Sequence, residues 1–94
     1  MAAEVTVIIP NYNGLKFLGT CMESLNRQTC QSFSVLVVDN GSTDGSVSWL
    51  KEQQIPSIFL ETNTGFTGAV NVGIKAAKTK FVLLLNNDTE AEHG

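Results

Sequence analysis

Three apolar runs in this chain each end in residues able to bind or polarise a ligand. Val5-Thr6-Val7-Ile8-Ile9 leads into Pro10-Asn11-Tyr12-Asn13-Gly14. Phe33-Ser34-Val35-Leu36-Val37-Val38 leads into Asp39-Asn40-Gly41-Ser42-Thr43-Asp44-Gly45-Ser46, and Phe81-Val82-Leu83-Leu84-Leu85 into Asn86-Asn87-Asp88. A carboxylate in the position of Asp39, at the end of a strand, can accept hydrogen bonds from a ribose hydroxyl or a base N–H. Asp88, with side-chain amide oxygens beside it, offers the hard oxygen ligands that Mg²⁺ and Mn²⁺ prefer. Such ions usually take one or two carboxylates and let a substrate diphosphate supply the rest. The residue types therefore point to a nucleotide and a divalent cation. Both segments also suit plain turns, since Asp, Asn and Gly are turn formers. Tyr12 is equally suited to stacking on a base and to packing as an aromatic.

Asn63-Thr64-Gly65-Phe66-Thr67-Gly68 is a further glycine-containing turn, placed before a helix. Free N–H groups at a helix start favour an anion, and glycine lets backbone approach a phosphate or sugar closely. The same glycines suit ordinary helix–sheet packing. The segment is neither the G-x-G-x-x-G dinucleotide pattern nor a Walker loop. Ser42-Thr43-Asp44-Gly45 reads as structural: Ser42 or Thr43 as a helix cap, and Asp44 as an acid near the positive helix end rather than a catalyst. Asn71 is expected to bond a neighbouring loop. His93 is assigned no role.

The elements that must hold these residues follow from periodicity. Residues 4–10 read as a strand that is β-branched and apolar throughout, as in a parallel sheet buried on both faces. Asn13 is a plausible N-cap for a helix with Leu15, Leu18, Met22 and Leu25 on one stripe, ending near Arg27 or Gln28. Residues 33–39 form a second strand. A second helix follows with Val47 and Leu50 facing inward and Trp49 partly so, closed by Pro56. Residues 57–61 form a short third strand. Residues 65–77 form a third helix with Phe66, Ala69, Val70, Gly73, Ile74 and Ala77 on one side, its glycine and alanine allowing a close approach to the sheet. Residues 80–86 form a fourth strand, and residues 90–94 a polar tail. The order βαβαβαβ implies a parallel sheet with right-handed crossovers. The expected architecture is α/β, a Rossmann-like three-layer sandwich with strand order 3-2-1-4.

Composition narrows the function classes. The chain has 94 residues, enough for one small domain, and is 43% hydrophobic and 16% charged, which is globular composition. Its net charge is −3 and its six basic residues are scattered, so the basic stripe of a nucleic-acid binder is missing. An anionic ligand would have to be held by local groups. No apolar stretch reaches the length of a membrane span. No secretory signal is visible, because the first apolar run is short and ends in Pro10. Cys21 lies on the apolar stripe of the first helix and reads as a buried thiol; Cys21 and Cys30 show no metal-ligand spacing. A cytoplasmic setting is expected.

Taken together, Val7-Ile8-Ile9-Pro10-Asn11-Tyr12-Asn13, Gln28-Thr29, Val37 to Gly45, Asn63-Thr64-Gly65-Phe66, Asn71-Val72-Gly73 and Leu84 to Thr89 resemble, in order, the amino-terminal half of a family 2 glycosyltransferase with the GT-A fold. The Asn-Asn-Asp form is similar to the rhamnosyltransferase-like branch, which works on cell-envelope polysaccharides. The resemblance implies a nucleotide-diphosphate-sugar donor, UDP- or dTDP-linked. Pro10, Asn11, Tyr12 and Asn13 would line the base pocket, with Asp39 bonding the base and Asn40 beside it. Asn63 and Gly65 would neighbour the ribose or phosphate. The family's D-x-D motif falls on Asn86-Asn87-Asp88, so Asn87 would lie at the nucleotide and Asp88 would bind the Mn²⁺ or Mg²⁺ that bridges the donor diphosphate. The implied reaction is an inverting displacement in which an acceptor hydroxyl attacks the anomeric carbon and a carboxylate removes its proton. Two positions depart from the pattern: Asn86 replaces the first Asp of D-x-D, and Val70 stands where many relatives carry Arg.

The family's catalytic base belongs to its later half. The expectation is thus a donor-binding half, residues 1–94, lacking the acceptor half and inactive alone. Asp39 and Asp88 must then converge on one rim of the sheet. A reading from another class is an association module that pairs through the hydrophobic edge of the fourth strand. A dinucleotide-dependent oxidoreductase is disfavoured by the absent glycine fingerprint after the first strand. A receiver-like domain is disfavoured by the missing late Lys and by the Asn-Asn-Asp segment.

Overall fold

A computed structural model describes residues 5–26 and 33–85. The elements are β1 (Val5–Asn11), α1 (Leu15–Asn26), β2 (Phe33–Asp39), α2 (Ser46–Glu52), β3 (Ser57–Phe59), α3 (Gly65–Ala76) and β4 (Phe81–Leu84). The four strands form one parallel sheet in the order β3-β2-β1-β4. The expected alternation and strand order are therefore present. β3 is shorter than the run 57–61, because from Leu60 onward the chain turns along the top of the sheet, with the Leu60 N–H donating to Asp39 O at 2.8 Å. Residue 86, the last of the expected fourth strand, lies outside the described residues.

Alternation along β1 explains the three layers. Val7 and Ile9 point to one face, where they join Leu18, Val37 and Leu50, with Leu15, Met22, Leu25 and Trp49 packed against that cluster. Ile8 points to the other face and joins Val38 and Ala69, with Leu60 and Val72. Successive strand residues face opposite ways, so a run that is apolar throughout must be covered on both sides. α1 and α2 cover the first face and α3 the second. Chain direction dictates this. β1→β2→β3 steps one way across the sheet, and the return to β4 beyond β1 needs the opposite face if every crossover keeps one hand.

Gly73 sets how near α3 lies. A Cβ there would come within 2.6 Å of Ile8 Cγ2 and 3.2 Å of Val38 Cγ2, so only glycine permits this approach. The inner face of α3 is accordingly narrower than expected. Ala69 and Gly73 are buried, but Phe66 and Ile74 are exposed. With the helix seated this close through its small residues, the large side chains flank the contact. All of β4 is exposed too; it lies at an edge of the sheet, paired with β1. Cys21 is half-buried beside the first cluster rather than fully buried; Cys30 lies outside the described residues. No helix among the described residues is long and apolar enough to cross a membrane.

Candidate functional site

Asn11 and Asp39 end β1 and β2 opposite one another in the register. β4 runs parallel beside β1, with Leu84 opposite Ile8, and the Leu85 N–H donates to Ile8 O at 2.9 Å. The chain therefore leaves β4 toward this same rim, although Asn86, Asn87 and Asp88 lie outside the described residues. Between β1 and β4 the connections diverge, α1 to one face and α3 to the other. That is the switch point at which open α/β sheets bind ligands.

A cleft of about 400 Å³ opens there. One wall is Pro10, Asn11, Tyr12, Asn13 and Gly14 with Phe17 of α1; the other is Asn63, Gly65 and Phe66 before and within α3; Asn40 lies between them. Seven residues named from sequence thus meet: Pro10, Asn11, Tyr12, Asn13, Asn40, Asn63 and Gly65. Tyr12 (51% exposed) and Phe66 (53%) present open aromatic surface. Tyr12 lines the cleft and is not a packed core aromatic. A larger hollow of about 550 Å³, bordered by Met22, Phe33, Trp49 and Ile55, lies at the amino ends of β2 and β3. Its border is mainly the flank of the first core cluster, away from the polar strand ends, so the smaller cleft is the better candidate.

Asp39 lies beneath this cleft and not on its surface, being 0% exposed. Its Oδ1 accepts from Asn11 Nδ2 at 2.9 Å and from the Ser42 hydroxyl at 2.7 Å, and its Oδ2 accepts from the Ser42 N–H at 3.0 Å. The carboxylate therefore ties the end of β1 to the loop after β2. A buried carboxylate must be hydrogen-bonded in this way to remain stable. Ser42, expected as a helix cap, belongs to this network instead, and its Oγ also accepts from the Asn13 N–H at 2.8 Å.

Asn13 does not cap α1. It sits at φ 52°, in the left-handed region that Asn tolerates better than most residues. Its Oδ1 accepts from the Thr43 N–H at 2.7 Å, which couples the β1–α1 and β2–α2 loops. Asp44 supplies the helix-start contacts. Its Oδ2 accepts from the Leu15 N–H at 2.9 Å at the start of α1, and its Oδ1 from the Ser46 N–H at 3.0 Å and hydroxyl at 2.6 Å at the start of α2. One carboxylate thus serves the starts of two helices, as befits an acid where free N–H groups cluster. Desolvation, the largest single influence, pushes the Asp44 pKa up. Hydrogen bonds from the Ser46 hydroxyl and from the Leu15 and Ser46 N–H groups together outweigh it, leaving the pKa below its ordinary 3.8.

Asn71 is exposed, and among the described residues it makes no side-chain hydrogen bond to a loop. Phe17 and Phe66 are cleft residues that sequence reading did not assign. The signal for Phe17 was an apolar residue standing off the Leu15-Leu18-Met22-Leu25 stripe. For Phe66 it was the position directly after Gly65, whose φ of 85° redirects the chain as α3 begins. Among the described residues no three His, Cys, Asp or Glu side chains form a metal-binding cluster. Asp39 and Asp44 are engaged as above; Asp88, the cation ligand expected from sequence, lies outside the described residues.

Comparison with known proteins agrees with this geometry. The family model described as "Glycosyl transferase family 2" matches residues 6–94. The chain is 30% identical over 93 residues to the glycosyltransferase GlyG of Streptococcus pneumoniae serotype 4, covering 94% of this chain and 31% of that protein. It superposes on S. aureus TarS 1–349 in complex with UDP at a TM-score of 0.81 and 33% identity, over 90% of this chain and 27% of that one. The TarS complex with UDP-GlcNAc gives 0.81 at 29% identity, over 96% and 30%. The mannosyltransferase PcManGT from Pyrobaculum calidifontis, in complex with GDP-Man and Mn²⁺, shares the fold at a TM-score of 0.80 and 24% identity, over 94% and 28%. The chain thus spans about a third or less of these proteins. The parallel sheet, its switch-point cleft and a family match over nearly its whole length lead to one conclusion: this chain belongs to glycosyl transferase family 2.

Proposed function

We propose that residues 1–94 form the donor-binding half of a glycosyltransferase, taking a nucleoside-diphosphate sugar for transfer to an acceptor hydroxyl with inversion. The observation that carries this reading is the switch-point cleft, where open aromatic surface on Tyr12 and Phe66 stands beside the polar groups of Asn13 and Asn63. A nucleotide needs this combination: faces on which a flat base can stack, and amide groups that recognise base or ribose edges. The UDP and UDP-GlcNAc complexes of TarS, similar at about 30% identity, support the donor class.

In the proposed reaction the acceptor oxygen attacks the anomeric carbon as that carbon's bond to the diphosphate oxygen breaks. The acceptor proton goes to a carboxylate base contributed by the acceptor half. Asp88 would hold a divalent cation together with the donor diphosphate, and that cation would neutralise charge on the departing nucleoside diphosphate. A cytoplasmic setting belongs to the same proposal. The test is calorimetric titration of UDP and dTDP into the chain with and without Mn²⁺. Weak binding that depends on the cation, lost in Asp39→Ala and Asp88→Ala, is expected. No binding by a chain shown to be folded would overturn the proposal.

A second reading, self-association, is favoured by one observation: Phe81, Val82, Leu83 and Leu84 are all exposed on an edge strand. Unpaired hydrophobic edges tend to pair. Light scattering across a concentration series should show dimers that Leu83→Lys reduces to monomers; monomers throughout would rule this reading out.

A further inference from the structure

We infer that Asn40 is a positioning residue that sets the width of the donor cleft, a role that rests on the donor-binding reading above. Asn40 is 4% exposed at the end of β2. Its backbone N–H donates to Asn11 O at 2.8 Å, which joins it to the β1 wall. Its side chain reaches the opposite wall. Nδ2 donates to Asn63 Oδ1 at 3.1 Å and to Gly65 O at 3.0 Å, and Oδ1 accepts from the Thr64 N–H at 2.8 Å and the Thr64 hydroxyl at 3.1 Å. A side-chain amide has two N–H donors and an oxygen with two lone pairs. All of these are matched within the chain, so none is left to recognise a ligand.

The amide orientation is dictated by partners of single polarity: the Thr64 N–H can only donate and the Gly65 carbonyl can only accept. The next residue reinforces the tie. Gly41 has φ 83°, and a Cβ there would lie 2.9 Å from the Thr62 carbonyl carbon, so the loop before α3 rests directly on backbone. The Gly65 N–H is in turn held by Asn63 Oδ1 at 2.7 Å. One residue therefore grips the β1 wall through its backbone and the Asn63–Phe66 wall through its side chain. Aspartate is nearly the same shape but cannot substitute. The oxygen replacing Nδ2 would face both the Asn63 Oδ1 and the Gly65 carbonyl, turning two attractions into two repulsions and pushing that wall away from the oxygen that accepts from Thr64.

Amide hydrogen exchange by NMR and UDP titration with Mn²⁺, both on the 94-residue chain, test the role. In Asn40→Asp the Thr64 and Gly65 N–H groups should lose protection while Val37 in the sheet keeps it. UDP affinity should fall by about tenfold or more, the scale set by leaving buried polar groups unmatched. Met22→Ala, remote from the cleft, serves as a destabilised control and should leave affinity within about twofold, since destabilisation remote from a site seldom couples to it. If Asn40→Asp does not fold, Asn63→Ala removes one acceptor of the brace at an exposed position and should lower protection of the Thr64 N–H in smaller measure, unchanged Thr64 protection there overturning the proposal. Retained Thr64 protection in Asn40→Asp overturns the proposal, and so does unchanged affinity once protection is gone. A wild-type chain that binds no UDP counts against the donor reading alone, because the exchange pattern still decides whether Asn40 holds the wall.

Discussion

Asn11 and Asp39 are the last register pair of β1 and β2, and the Asn11 amide donates to Asp39 Oδ1 at 2.9 Å. This bond sits at the base of the cleft, where two parallel strands end and their loops must be held together without further sheet pairing. Asp39→Asn should therefore lower stability as well as nucleotide affinity. An amide in that place must turn an NH₂ group toward donors on Asn11 or Ser42. The expected cost is about 1–3 kcal/mol, typical of unmatched buried polar groups. Urea denaturation would measure it, and stability equal to wild type would show that the network is dispensable.

Asp44 gives the chain an acid-sensitive contact. Its folded pKa is lowered, so its contribution is present above the unfolded carboxylate value and is lost as pH falls through the folded one. Asp44→Asn should flatten that part of the stability profile on the acid side and leave the neutral limb parallel to wild type. Because Asp44 is exposed, water screens its charge. Asp44→Ala should cost about 0.5–1 kcal/mol, the low end for helix-start contacts. Thermal melts between pH 3 and pH 7 would reveal both effects.

Gly73→Ala should destabilise despite alanine's better helix propensity. Propensity favours alanine by about 1 kcal/mol. The new methyl would meet Ile8 Cγ2 at 2.6 Å, and overpacking a fitted core typically costs about 1–3 kcal/mol. A melting temperature above wild type would mean that α3 can lift off the sheet freely.

Tyr12→Ala should weaken UDP binding with little change in stability, because the ring is half-exposed and lines the cleft. Base–aromatic stacking is worth about 1–3 kcal/mol, so the expected loss in affinity is between about fivefold and about 150-fold. Tyr12→Phe should keep most of it. Titration of both variants separates stacking from hydrogen bonding by the phenol; equal affinity in all three proteins would remove Tyr12 from the site.

Much of this was legible in the residues. Continuous apolar runs such as 5–9 and 33–38 required a sheet covered on both faces. Polar strand ends marked the carboxyl rim, and the ordered motifs carried the family resemblance. These signals are local, since strand and helix periodicities and turn residues act over a few positions. Other properties came only from long-range contacts. Asp39 turned out to be buried beneath the cleft because Asn11 and Ser42 converge on it from separate loops. Asn13 and Ser42 did not act as helix caps because they bond across those loops, leaving the helix starts to Asp44. Periodicity placed Phe66 and Ile74 on the inner face of α3, yet Gly73 brings the helix so near the sheet that no room remains for them there. The sequence by itself determined which elements form and which ends of the strands carry polar groups. Only the tertiary structure decided which of those groups face the cleft and which brace it, because hydrogen-bond partners 23 to 30 residues apart meet only once the chain has folded.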